Sequence, residues 1–183
     1  VSTSNTLGNQ GEAPDGEVED YVVTIQDAVT VYDYGDAPDD GTDDNGTDDY
    51  DTIDASGNPA RHELGTGLRL GASVDDEPDG QQNANADGDD TNNDDEDSIT
   101  FPTLITGQSV DLDIDVNNPT SDNAFVQVFI DWNGDGDWND AGEQVGTDVS
   151  VPANSSTPLS LTVNVPAGAT PGDTYARLRI STT

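Results

Sequence analysis

Asp131, Asn133, Asp135, Asp137 and Asn139 recur at every second position of DWNGDGDWNDAGE, and Glu143 closes the run. Oxygen donors at alternate positions, with a glycine at the sixth, are the pattern of a calcium loop. The donors converge on one hard cation, and Gly136 permits the sharp turn. The closing acid stands at position thirteen, one later than in an EF-hand. The run follows the apolar stretch FVQVFI, and no helical pattern comes after it. The spacing therefore predicts a strand-anchored loop that holds Ca2+ through Asp131, Asn133, Asp135, Asp137 and Glu143. An acidic Asp-Gly hairpin turn is the simpler alternative, but it does not need Asp131, Asn133 and Asp135 together.

A second acidic region is denser and less patterned. Asp75, Glu77 and Asp79 alternate; Asp89 and Asp90 follow; then come Asp94, Asp95, Glu96 and Asp97. Ca2+ accepts about six to eight oxygens in flexible geometry, whereas Mg2+ demands a tighter octahedron. Softer metals are disfavoured by the absence of cysteine and a single histidine. The expectation is at least one Ca2+ among Asp75, Glu77, Asp79, Asp89, Asp90, Asp94, Asp95 and Asp97. The plainer alternative is a solvated loop of a salt-adapted protein.

The whole chain shares this bias. Thirty-nine acidic residues face four arginines and no lysine, for a net charge of -35. Such a surface repels phosphate backbones and anionic lipid, which argues against nucleic-acid partners and against membrane association. No apolar run approaches spanning length, so no membrane insertion is expected. Without cysteine there are no disulfides to staple the fold. Self-repulsion on this scale must be relieved by bound cations or high salt. The start at Val1 with no methionine anywhere fits a piece cut from a longer precursor.

Little points to catalysis. His62 is the sole histidine and has no evident nucleophile beside it; with Arg61 it is expected to meet the acidic loops. Carboxylate pairs occur by chance at this acid content, so they do not argue for glycoside hydrolysis. No enzyme is expected. Trp132 and Trp138 bracket the acidic loop and are read as packing over it, with sugar stacking as the alternative. Asn45 and Asn154 stand in glycosylation sequons, a weak signal.

The elements that must position the loop are strands. SVDLDIDV (109–116) alternates with Val110, Leu112, Ile114 and Val116 on one face. PLSLTVNVP (158–166) does the same with Leu159, Leu161, Val163 and Val165. AFVQVFIDW (124–132) reads as a central strand. TYARLRIST (174–182) sets Arg177 and Arg179 opposite Ala176, Leu178 and Ile180. EDYVVTIQ (19–26), LRLGASV (68–74) and SITF (98–101) are further candidates, and 33–63 and 75–97 read as long loops. The fold class predicted is all-β: an antiparallel β-sandwich with long acidic calcium-binding loops. VST at the start echoes IST at 180–182, an offset of 179 that suggests tandem repetition.

Taken together, GEVEDYVVTI, YDYGDAPDD, ARHELG, GDDTNNDDED, FIDWNGDGDWNDAGE and TYARLRIST resemble the GEVED domain family of bacterial secreted and cell-surface proteins. That family begins at YGDAPD and ends on the GEVEDY strand, whereas here GEVEDY, Gly16 to Tyr21, comes first. The resemblance thus covers nearly the whole chain in a shifted frame. Two departures stand out: Ser98 replaces the glycine that usually follows DED, and residues 40–49 look like an acidic insertion. The resemblance implies a β-rich extracellular module on an adhesin, surface fibre or secreted enzyme. The expected division is a strand segment at 1–27, completing a neighbouring unit, and a main sandwich at 28–183.

The function expected is a calcium-stabilised structural repeat module at the cell surface, assembling head to tail with neighbouring copies by strand donation. Glu17, Glu19 and Tyr21 would then pair with Arg177 and Arg179. The alternative is a carbohydrate-binding accessory module, with surface glycans as partners.

Overall fold

Alternation carries the architecture. The computed structural model describes residues 17–25, 28–42, 49–88 and 97–183. Nine strands are described: β1 Tyr32–Asp33, β2 His62–Glu63, β3 Arg69–Leu70, β4 Ser109–Ile114, β5 Val116–Asn117, β6 Ala124–Ile130, β7 Gln144–Val151, β8 Leu159–Asn164 and β9 Ala176–Ser181. A short 3-10 turn spans Asp54–Ser56. All pairings between strands are antiparallel.

Two sheets form the body. One pairs β4 with β8 from Ser109↔Asn164 to Ile114↔Leu159. The other runs β7-β6-β9. Strand β6 is central because it is the most apolar: Ala124, Val126, Val128 and Ile130 point to the interior at alternate positions. From the facing sheet come Leu112, Ile114 and Val163, and these side chains form one cluster with Val116, Val151, Val165 and Ile180. Two sheets closing on one apolar cluster is the packing of a β-sandwich. Two small pairings, β1-β2 and β3-β5, lie outside these sheets.

Four readings need correction. EDYVVTIQ does not form a strand: Glu19 to Ile25 are exposed and unpaired as strand, and Gln26 is outside the described residues. Its β-branched run has strand propensity, but propensity without a partner edge gives no ladder. SITF has no strand either, and LRLGASV shortens to Arg69–Leu70. The alternating run 109–116 breaks at Asp115, whose N–H donates to the Ser98 carbonyl at 2.8 Å. Finally, β7 is an eight-residue strand that the pattern concealed. Its pairing with β6 is irregular between Val126 and Phe129, and Asp148 takes φ 49°, so its inward period slips mid-strand. Packing is tight at Gly146, where a Cβ would stand 3.0 Å from Leu161 Cδ2 and 3.1 Å from Val128 side-chain atoms, so those side chains would have to shift.

Asn118 closes one end of the interior. Its fully buried Nδ2 donates to the carbonyls of Asp122, Val151 and Pro152 at 2.9, 3.3 and 3.1 Å, and its Oδ1 accepts from Thr120 N and Oγ1. Asn118→Ala strands these groups away from water, where each orphaned group costs about 1–3 kcal/mol. Chemical denaturation is expected to read a loss of at least that size, and less than about 0.5 kcal/mol for the exposed control Asp113→Ala.

Candidate functional site

The acidic loop leaves β6 at Asp131 and returns to β7 through Glu143. Both residues are buried, and Ile130 N donates to Glu143 O at 2.9 Å to close the neck. Asp131 organises the turn. Its Oδ1 accepts from Asn133 N at 3.1 Å and Gly134 N at 2.6 Å; its Oδ2 accepts from Gly136 N at 3.2 Å and from the Tyr50 hydroxyl at 2.6 Å. Gly134 and Gly136 hold φ 73° and 102°, a region that disfavours side chains, so the wrap around one carboxylate depends on both. Glu143 accepts from Trp132 N at 3.1 Å through Oε1 and from Asp140 N at 3.2 Å through Oε2.

The loop gathers three carboxylates. One oxygen each from Asp131, Asp135 and Glu143 lies within 4.8 Å of the others. Ca2+ binds oxygen at about 2.3–2.6 Å, so ligands around one ion stand up to about 5 Å apart, and the spacing fits. Burial pushes the Glu143 carboxyl above its ordinary pKa; the Trp132 and Asp140 N–H groups pull it down, and the charges of Asp131 and Asp135 push it up again. All four arginines are engaged elsewhere: Arg61 with Asp54, Arg69 with backbone carbonyls, Arg177 with Thr52 and Arg179 with His62.

Other predicted residues stand differently. The Asn133 amide bridges Asp135 and Asp140 at 2.8 and 2.7 Å, at the rim of the cluster. Asp137 accepts from Asn139 N at 2.7 Å, a local turn outside the gathered group. Asp75, Glu77 and Asp79 do not meet at one point. Glu77 is buried and accepts from Tyr34 N at 2.9 Å, while Asp79 accepts from Asp54 N at 2.6 Å and Gly80 N at 3.0 Å. Asp97 receives Ala72 N on both oxygens and sits so close to Gly71 that a Cβ there would lie 1.6 Å from its Oδ1. Glu77, Asp79 and Asp97 serve as backbone acceptors. Asp89, Asp90, Asp94 and Asp95 lie outside the described residues, as do Val1 to Thr3 of the repeat echo.

A second gathered group was not legible as a pattern. Asp39, Asp40 and Asp49 bring one oxygen each within 4.8 Å. Asp39 and Asp40 are adjacent, Asp49 lies nine residues further on, and Tyr50 N to Pro38 O at 3.0 Å joins the two segments. Asp39 is chiefly structural. Burial raises its pKa, but donors from Ser56 Oγ and the N–H groups of Ile53, Gly41 and Thr52 outweigh this and hold it below the usual carboxylate value. Asp140, one position past the alternation, was likewise missed although it meets Asn133 and Glu143.

Aromatic rings weld the two acidic regions. Tyr50 lies 4.3 Å from Trp138 and 5.1 Å from Tyr175 by ring centroids, and the Arg177 guanidinium stands 4.3 Å above Trp138. Trp132 is buried and donates Nε1 to Gly142 O. Both tryptophans are thus used in packing.

The expected pairing of Arg177 and Arg179 with Glu17, Glu19 and Tyr21 is not found within the chain, whose residues 17–25 are exposed. Nor does His62 meet the acidic loops: its Nε2 accepts from Arg179 Nε at 3.0 Å.

Fold and site together define an all-β acidic module with a candidate cation loop at the head of its central sheet. The family model of the GEVED domain matches residues 125–183, from β6 through β9. No curated protein and no solved structure matches the chain. The matched segment contains the whole DWNGDGDWNDAGE loop; Glu17 to Ile25 lie outside it.

Burial, then the Arg179 charge, lowers the His62 pKa from 6.5 to about 4. Above pH 6.5 the ring is neutral in both folded and unfolded chains and adds no pH dependence. Between 6.5 and about 4 the unfolded chain takes up a proton that the folded one refuses, so stability falls across that window and this contribution levels off below it. Because His62 is the only histidine, one imidazole resonance reports it by NMR. A midpoint near 4 is expected; a midpoint at or above 6.5 would place carboxylates, not Arg179, beside the ring.

Proposed function

We propose that this chain is a non-enzymatic structural module of an extracellular surface protein or fibre, working beside copies of itself, and that Ca2+ clamps its acidic loop. The observation that carries the reading is the meeting of Asp131, Asp135 and Glu143 at the end of the central strand. Two of these three carboxylates are buried, and no arginine reaches them. A divalent cation would offset the burial that chiefly raises the Glu143 pKa and the repulsion from Asp131 and Asp135 that adds to it.

Asp131 and Glu143 would supply fixed oxygens from the strand ends. Asp135 would close the site from the exposed turn, and Asn133 and Asp140 stand near enough to complete it. A partly exposed loop of this kind suits the weak sites of extracellular modules, which work at about 0.1–1 mM Ca2+. The stabilising role follows from linkage, since the neck of the loop ties β6 to β7. The carbohydrate-binding alternative gains no support from the tryptophans, whose rings are covered by Tyr50 and Arg177 or buried.

At free Ca2+ about 100-fold above Kd, linkage adds about 2.7 kcal/mol. For a domain of this size that corresponds to a Tm gain of roughly 5–10 °C over the EDTA-treated protein. Asp135→Asn and Glu143→Gln are expected to abolish most of the gain, while Asp137→Asn keeps it. Equal gains from KCl at matched ionic strength would replace the specific site with general screening.

A further inference from the structure

Two features of the molecule lie open and match each other. The first is a segment. Residues 17–25, EVEDYVVTI, are the most strand-like stretch in the chain without a strand. Val18, Val22 and Ile25 are 89, 100 and 93% exposed. A contiguous apolar, β-branched run left in water marks a surface that joins something.

The second is a groove. Strand β9 pairs with β6 on one edge, and no described strand pairs with the other. Beside β9 lies a groove of about 970 Å³, bounded by residues 172–182 on one side. Its apolar wall includes Leu68, Leu70, Ile99, Phe101 and Leu104. An edge strand facing an open apolar slot is a template for an added strand.

The charges fit as well. Arg69, Arg177 and Arg179, three of the chain's four cationic side chains, line this groove together with His62. The segment carries Glu17, Glu19 and Asp20. In a chain of net charge -35 a groove lined by three arginines favours an acidic strand over most of the surface.

We infer that the groove beside β9 receives residues 17–25 of a second copy of this chain, added as a strand along the open edge. Strand periodicity places Glu17, Glu19, Tyr21, Val23 and Ile25 on one face and Val18, Asp20, Val22 and Thr24 on the other. Turning Tyr21, Val23 and Ile25 to the apolar wall leaves Asp20 on the side of Arg177 and Arg179, with Glu17 and Glu19 preceding the apolar part of that first face. The occupant is a second copy because a chain's own segment stays in solvent while its groove is open. Donor and acceptor are different surfaces, so the contact is heterologous and propagates head to tail. This deepens the reading of the chain as an assembling module and needs no cation.

Sedimentation velocity of the full chain over a wide concentration range, in Ca2+ and in EDTA, tests it against Val23→Pro, which removes a ladder donor from an exposed position. A fluorescent peptide, GEVEDYVVTIQ, is titrated into the Val23→Pro chain with a scrambled peptide as control. The wild type is expected to rise to at least twice its 19.1 kDa mass while Val23→Pro stays monomeric and binds the peptide saturably. Leu178→Arg should lose the peptide.

Three results would overturn the inference. Equal assembly of wild type and Val23→Pro places the contact elsewhere. A wild-type monomer with peptide binding means the segment docks within its own chain. No peptide binding means that the groove is no acceptor. Assembly that persists in EDTA without a calcium-dependent Tm gain sinks the calcium clamp alone.

Discussion

The buried carboxylate of Asp131 fixes the geometry on which the rest of this end of the molecule depends. It stands where the central strand stops, and three backbone N–H groups from its own loop turn in toward it. Its fourth donor is the Tyr50 hydroxyl, from a segment 81 residues earlier. The bond therefore does more than shape a turn. It docks the segment around Tyr50 onto the β7-β6-β9 sheet and sets Tyr50 against Trp138 and Tyr175. Backbone bonds at the same point add Thr170 N to Trp132 O at 2.8 Å and Asp131 N to Tyr175 O at 3.1 Å, so three loops converge on two residues. Bonds to a charged acceptor are stronger than neutral ones, and burial strengthens them further.

The same device recurs through the chain. With four arginines for 39 acidic residues, ion pairs cannot neutralise the molecule. Backbone N–H groups take their place. Asp36 accepts from Gly88, Asp39 from Gly41, Thr52 and Ile53, Asp79 from Asp54, and Asp97 from Ala72. Each carboxylate pins a stretch of loop that has no strand of its own. This explains how the described stretches 33–42, 49–63 and 75–88 hold a defined path with little regular structure, and at Gly71 the close approach to Asp97 leaves no room for a side chain. Where carboxylates face each other, at Asp131, Asp135 and Glu143, the remaining repulsion is a reason for a cation.

Legibility divided along the same line. The strands of the sandwich were readable because alternation is local: Leu112, Ile114 and Val163 could be placed from spacing alone, 124–132 was read as central from its apolar content, and both contribute to the core. The loop at 131–143 was readable because its donors repeat every second residue. Strand β7 escaped because its bulge shifts the period at Gly146 and Asp148. Asp39, Asp40 and Asp49 escaped because a backbone bond that folds the chain back at Pro38 and Tyr50, not a ligand spacing, unites them. The run 19–25 was misread within the chain for the opposite reason. Its composition suits a strand, but a strand is a pair, and a single sequence does not state where the partner edge lies.

The scarcity of cations also explains which cation is used. Lysine is absent, and the arginines act as flat plates as much as charges. Arg61 stacks at 4.6 Å over Tyr32 while pairing Asp54, and Arg177 stacks at 4.3 Å over Trp138 while donating to Thr52. Burial, followed by the neighbouring Arg179 charge, lowers the Arg177 pKa to about 10, yet it stays protonated at neutral pH. A lysine given the same desolvation would approach neutrality, and its compact ammonium could not cover a ring and reach a hydroxyl at once. Arg177 and Arg179 lie side by side on β9 despite their repulsion, because that face meets the acidic, aromatic layer formed by Tyr50, Asp51 and Trp138. The positive edge of the central sheet and the negative loops above it are two halves of one electrostatic contact, which holds the loop layer on the sandwich.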